Sequence, residues 1–126
     1  MTSQDQKDTV LNAVNAASSV WKAAFNRGDA EGCAGQYEEN ARMRAEPFGT
    51  FTGREEIQGF WQNLINEGYC DVDYINPELD VIDASSAVLR SGWKMNKAGG
   101  VIHKELWVLQ ADGSAKLRED YFEAKG

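Results

Sequence analysis

The hydrophobic pattern changes period at Gly68–Tyr69, and that switch restricts the architecture more than any other feature of the chain. Before it, apolar residues recur mainly at three- and four-residue intervals, as in helices that bury one stripe. After it they alternate, as in strands with one covered face. Helices first and an antiparallel sheet afterwards predict an α+β fold with the helices gathered on one face of the sheet. No internal repeat, linker or low-complexity segment divides residues 1–126, so a single domain is expected.

The first helix is predicted from Gln4 to about Asn26, with Val10, Leu11, Val14, Ala17, Trp21, Ala24 and Phe25 on one stripe. Ser3 and Gln6 have capping-box spacing, and Asn26-Arg27-Gly28 is a stop signal. Asp29 is placed to cap a short second helix over Ala30–Tyr37. Ala41–Ala45 alternates, with Ala41, Met43 and Ala45 against Arg42 and Arg44, and reads as a strand. A third helix is expected over Arg54–Glu67, capped by Thr52 and Glu55, with Ile57, Phe60, Trp61, Leu64 and Ile65 inward. Strands follow at Asp71–Ile75, Leu79–Ile82, Ser86–Met95, Val101–Gln110 and Ala115–Glu123, the last two joined by an Asp112-Gly113 hairpin turn.

Composition removes several classes of function. A net charge of -7, with the carboxylates scattered, argues against nucleic acid or an anionic membrane as partner. The N-terminus has no apolar core and no stretch approaches membrane-spanning length, so a cytoplasmic protein is the expectation. Cys33 and Cys70 form no CxxC and read as reduced thiols, with a disulfide as the alternative. One histidine without a ligand cluster gives no metal site, and no cofactor is called for.

Two places carry candidate chemistry. Glu46 directly precedes Pro47, which biases it toward an extended backbone and gives its carboxylate a defined direction. Beside aromatic residues such a group can act as a base; it can equally be a solvated turn residue. On the strand 101–109, strict alternation places Val101, His103, Glu105, Trp107 and Leu109 on one face, against Ile102, Lys104, Leu106 and Val108. On its partner it groups Leu117, Glu119 and Tyr121 against Arg118, Asp120 and Phe122. His103 and Glu105 are then either a site pair or a structural ion pair. Tyr37, Met43, Phe60, Trp61, Trp93, Trp107 and Tyr121 read as core and cavity wall. The apolar outer face of strand 101–109 predicts a homodimer.

Taken together, Trp21-Lys-Ala-Ala-Phe-Asn-Arg-Gly-Asp29, Tyr37, Ala41, Glu46-Pro47-Phe48-Gly49, Gly53-Arg-Glu-Glu-Ile57 and the Asp112-Gly113 hairpin resemble the NTF2-like superfamily. The nearer groups are its SnoaL-like and ketosteroid-isomerase-like members. The resemblance covers nearly the whole chain. It implies an NTF2-like (cystatin-like) cone, a strongly bent antiparallel sheet wrapped around three N-terminal helices, with a deep apolar pocket. It also implies dimers through the outer sheet face. Carried over residue by residue, Glu46 falls on the general base that precedes a proline in ketosteroid isomerase. Glu105 falls on the protonated oxyanion-hole carboxyl, and Trp21 on the oxyanion-hole tyrosine. His103 is a secondary acid/base candidate. Phe25, Tyr37, Met43, Phe48, Phe60, Trp61, Trp93, Trp107 and Tyr121 would line the pocket.

Each of the three matched positions departs from the isomerase pattern. Glutamate in place of aspartate moves the carboxylate by about 1 Å, a displacement that costs on the order of 100-fold in rate. Indole is a donor only and far less acidic than phenol. These departures argue against steroid isomerisation itself. Two functions follow. One is a cofactor-free acid/base enzyme of isomerase, hydrolase or cyclase type on a small apolar carbonyl-bearing or cyclic molecule. The other is a non-catalytic ligand-binding or homo-oligomerisation module.

Overall fold

The computed structural model describes residues 3–125 and contains the elements α1 (Gln4–Asn26), α2 (Ala30–Ala34), β1 (Tyr37–Glu46), β2 (Gly49–Thr52), α3 (Arg54–Asn66), β3 (Asp73–Asp83), β4 (Ser86–Lys94), β5 (Gly99–Leu109) and β6 (Ala115–Ala124). The six strands form one open sheet in the order β2-β1-β6-β5-β4-β3, curved around the helices. Every neighbouring pair is antiparallel except β1 and β6, which run parallel, so the expected antiparallel sheet is a mixed one.

Local signals account for most boundaries. At α1 the Ser3 side chain accepts from the Gln6 N–H while the Gln6 side chain accepts from the Ser3 N–H. The α3 cap differs from the expectation: Gly53 occupies the N-cap at φ 87° and makes no side-chain bond. Glu56, not Glu55, reaches back to accept from the Thr52 N–H at 2.9 Å. The second helix stops at Ala34 and Tyr37 begins β1 instead of ending a helix, because Tyr37 pairs with Leu117 of β6, a partner no local rule can supply. The two short strands expected at 71–75 and 79–82 are one strand, β3, which bulges between Ile75 and Glu78 where Asn76 takes φ 54° and Pro77 follows. Both cysteines are free.

Two bulges on β5 and β6 set the interior of the sheet. His103 is extra on β5 between the pairs Ile102↔Phe122 and Lys104↔Tyr121. Arg118 is extra on β6 between Leu106↔Glu119 and Trp107↔Leu117. Each inserted residue flips the alternation of the chain beyond it. Ile102, Glu105 and Trp107 are therefore buried together, as are Leu117, Asp120 and Phe122. The strict alternation expected for both strands is corrected at these two residues. The core between sheet and helices is aromatic: Trp21 meets Trp61 edge to face at 5.0 Å, and Trp61 stacks on Phe122 at 5.6 Å. Gly100 lets β5 and β6 close beside this cluster, since a Cβ there would collide with the Glu123 carbonyl and the Trp93 ring. No helix among the described residues is long and apolar enough to cross a membrane.

Candidate functional site

Across the middle of the sheet, register places Met43, Asp120, Glu105 and Leu89 in one inward-facing row on β1, β6, β5 and β4. Two carboxylic acids are thus direct cross-strand partners inside the core, Glu105 at 6% exposure and Asp120 at 5%. Like charges opposite each other in a dry interior cannot both persist, so such a pair holds protons. Burial, followed by the Asp120 charge, pushes Glu105 well above the usual carboxylate range, against the hydrogen bond it accepts. Burial raises Asp120 to about 7, opposed by the hydroxyl of Tyr37. Glu105 is thus the member of the pair that holds its proton more strongly, and Asp120, raised to about 7, is the one placed in the range where a general acid or base works best.

Two fully buried side chains orient the pair. The Tyr37 hydroxyl donates to Asp120 Oδ2 at 2.6 Å, and the Trp107 indole N–H donates to Glu105 Oε1 at 3.0 Å. Trp107 lies two residues from Glu105 on the same face of β5, and Tyr37 reaches Asp120 because β1 is the parallel neighbour of β6.

Glu105 and Asp120 both line a small cavity of about 30 Å³. Its walls are Trp21 of α1, Trp61 of α3, Tyr74 of β3, Trp93 of β4, and Ile102 and Phe122 beside the acids. Tyr74 is pushed well above an ordinary phenol by burial and then by the Glu105 charge. A second cavity of about 40 Å³ lies beyond Trp93, Met95 and Phe122, which line both; Phe48, Phe60 and Tyr69 form its far side.

Of the four residues expected to carry chemistry, Glu105 and Trp21 line the inner cavity. Glu46 and His103 do not. Glu46 continues the polar side of β1, pairs in register with Glu123, and receives the Arg44 Nε–H at 2.6 Å on the outer face; its bond to Pro47 is cis. His103, turned outward by its own bulge, meets Glu123 at 2.9 Å and packs on Tyr121. The expectation that His103 shares a face with Glu105 is therefore corrected.

Among the expected pocket residues, Trp61 and Trp93 line the inner cavity, while Phe48 and Phe60 line the outer one. Phe25 and Met43 are wholly buried core, and Tyr37 and Trp107 stand behind the acids. Tyr121 is on the outer face beneath the Arg44 guanidinium, because the Arg118 bulge turns it outward. Asp120 and Tyr74 escaped the sequence reading. Asp120 lies beyond a bulge that has no sequence marker, and Tyr74 belongs to a strand whose other residues are mostly exposed.

A family model described as a SnoaL-like domain matches residues 20–108. No curated protein matches the sequence significantly. Similar folds occur in a candidate scytalone dehydratase from Novosphingobium aromaticivorans (TM-score 0.83, 15% identity, 98% of this chain and 89% of that one). They occur also in a ketosteroid isomerase-like protein from Erwinia carotovora atroseptica (TM-score 0.78, 19% identity, 92% and 96%). A third example is a type 2 hexachlorocyclohexane dehydrochlorinase, LinA (TM-score 0.79, 14% identity, 98% and 90%). At these identities the likeness is one of fold.

Proposed function

The chain belongs to the SnoaL-like domain family, and we propose that within it this protein is a cofactor-free acid/base enzyme acting on a small apolar molecule with a carbonyl or ring. The observation that carries this reading is the Glu105–Asp120 pair, two opposed buried carboxyls at the wall of an aromatic cavity. With Asp120 ionised and Glu105 protonated, one acid takes a proton from carbon or oxygen while the other gives one. Either an isomerisation or an elimination can use that exchange. Dehydratase, isomerase-like and dehydrochlorinase are the words attached to three proteins of the same fold, and each describes chemistry of this kind.

A 30 Å³ space takes a water-sized group, whereas ligand pockets span about 300–1,000 Å³. In this reading the polar end of the ligand enters beside the acids. Its apolar body occupies the second cavity after Met95 and Phe122 yield. Glu46 and His103 have no catalytic part. The expected homodimer through the outer face of β5 belongs to the same proposal, and a monomeric mass by light scattering at micromolar concentration would overturn it.

The test is proton exchange at carbon. Cyclic ketones and enones incubated with the protein in D₂O are followed by proton NMR for deuterium uptake next to the carbonyl. Uptake by the native protein that falls at least 100-fold in both Glu105→Gln and Asp120→Asn supports the enzyme. Binding without uptake, unchanged in the double variant, supports instead the non-catalytic module.

A further inference from the structure

The chain between α3 and β3, residues 67–72, belongs to no helix or strand, yet it supplies a wall to both cavities. Tyr69 lines the outer cavity, and Val72, 4% exposed, lines the inner one. Beyond its turn off α3 this segment joins no ladder, and two asparagines hold its backbone instead. Asn96, in the β4–β5 turn, donates from Nδ2 to the Gly68 carbonyl at 2.8 Å and accepts the Cys70 N–H on Oδ1 at 3.0 Å. Its own backbone N–H donates to the Cys70 carbonyl at 3.0 Å. Asn26, the last residue of α1, accepts the Val72 N–H on Oδ1 at 2.7 Å and donates to the Val72 carbonyl at 3.2 Å. The segment is thus tied to the sheet at Gly68 and Cys70 and to the helices at Val72, and it crosses the gap between the two layers.

At about 30 and 40 Å³, both cavities are too small in this state for anything beyond a water-sized group. A ligand therefore needs a wall to move. Walls made of helices and paired strands move at greater cost than one held by side chains, whose hydrogen bonds each contribute little net. Gly68 at φ 88° and Asp71 at φ 61° bracket Tyr69 and Cys70 with left-handed backbone, where the chain changes direction within single residues. We propose that residues 68–72 are a latched strap whose release opens both cavities to the outside, with Asn96 and Asn26 as its latches and Gly68 and Asp71 as its hinges. Lys97 steadies the closed state: its ammonium donates to the Glu67 carbonyl at 2.6 Å and lies 5.4 Å from the Tyr69 ring centre. Release carries Tyr69 and Val72 away together, and Trp93, which lines both cavities, becomes accessible. That the entering molecule is a substrate rests on the acid/base reading above; the opening itself does not.

Native-state hydrogen exchange, read by nitrogen-15 NMR at a series of low urea concentrations, tests the strap with no ligand added. The reporters are the Cys70 and Val72 amides, the Trp93 indole N–H and, for the sheet, the Leu117 amide, which donates to the Gln36 carbonyl at 2.8 Å. Cys70, Val72 and Trp93 are expected to exchange through one shared opening that hardly depends on urea, whereas Leu117 waits for urea-dependent global unfolding. Asn96→Ala, which removes the side-chain bonds to Gly68 and Cys70, should speed those three together by about tenfold. Asn96→Asp, which keeps an acceptor for Cys70 and loses the donor to Gly68, should fall between. A Trp93 indole that exchanges only with Leu117 overturns the inference, even where Cys70 and Val72 open by themselves. So do Cys70 and Val72 amides that exchange no faster than Leu117. The native protein alone decides both points if a variant does not fold. Deuterium uptake by ketones without a shared opening would remove the strap and keep the enzyme. A shared opening without uptake would do the reverse.

Discussion

Asp120 faces Glu105 across the β5–β6 ladder, and each carboxyl has a different buried donor: Tyr37 for Asp120, Trp107 for Glu105. Neither donor carries a charge, so the pair is oriented without being neutralised. Burial in a dry interior is what raises Asp120 to about 7, and the Asp120 charge in turn helps to keep the proton on Glu105.

The pair writes a pH dependence into stability. Asp120 has its pKa raised from 3.8 to about 7 in the folded protein, so the folded state holds a proton that the unfolded chain releases. Its contribution is complete below 3.8, falls as pH rises toward 7, and is level above that. The fall is on the order of 4 kcal/mol if the group titrates alone. Urea unfolding at a series of pH values should show this slope, and Asp120→Asn should flatten it. A native protein whose stability rises between pH 4 and 7 would contradict the assignment.

Tyr37→Phe removes the hydroxyl on Asp120 Oδ2 and leaves a ring of nearly the same shape. We expect a loss of about 1–3 kcal/mol in chemical denaturation, because a buried acceptor loses its partner. The Asp120 carboxyl should titrate higher than in the native protein, since the hydroxyl favours the ionised form. Carbon-13 NMR of labelled aspartate reads that shift. A downward shift would mean that Tyr37 does not act on Asp120 as described.

Phe122→Ala is expected to merge the two cavities, since the ring lines both and stacks on Trp61. The cost should be about 3–5 kcal/mol. The enlarged space should bind benzene, and a rise in melting temperature with added benzene would report it. No change in melting temperature would mean that the core collapses into the vacated volume.

His103→Ala and Glu46→Gln should behave alike despite their different chemistry. Both residues sit on the outer face in partly exposed side-chain pairs, Glu46 with Arg44 and His103 with Glu123, where such contacts contribute little. The urea midpoint and any deuterium exchange should be unchanged within error in either variant. Loss of exchange in Glu46→Gln would show that the outer face takes part in the reaction.

Much of the scaffold was legible because it depends on neighbours in sequence. The Ser3–Gln6 box, the stripe of α1 and the hairpin at Asp112-Gly113 are local statements, and the structure repeats them. Trp21 and Glu105 also reached the cavity from a family resemblance carried position by position. Glu46 was a different case. The alternation of Ala41, Met43 and Ala45 already assigns residue 46 to the side of Arg42 and Arg44, and the pre-proline signal concealed that. Asp120 could not be found by alternation, because the Arg118 insertion that turns it inward exists only in the pairing of β6 with β5. Tyr37 was legible as a core residue, but its place in a strand was not, since the partner that makes it a strand residue is 80 positions away by register with Leu117.

The two bulged residues suggest how the chemistry of such a cone is exchanged over time. If β6 ran on regularly from Leu117 with Arg118 paired to Leu106, Glu119 would oppose Glu105 in the interior and Asp120 would turn to the outside, with composition, length and sheet order untouched. The identity of the interior acid is thus held by the register of a strand as much as by the residues in it. For this fold, gaining or losing a one-residue bulge is a route to new interior chemistry that point substitution, which must place a charge in the core in one step, does not offer.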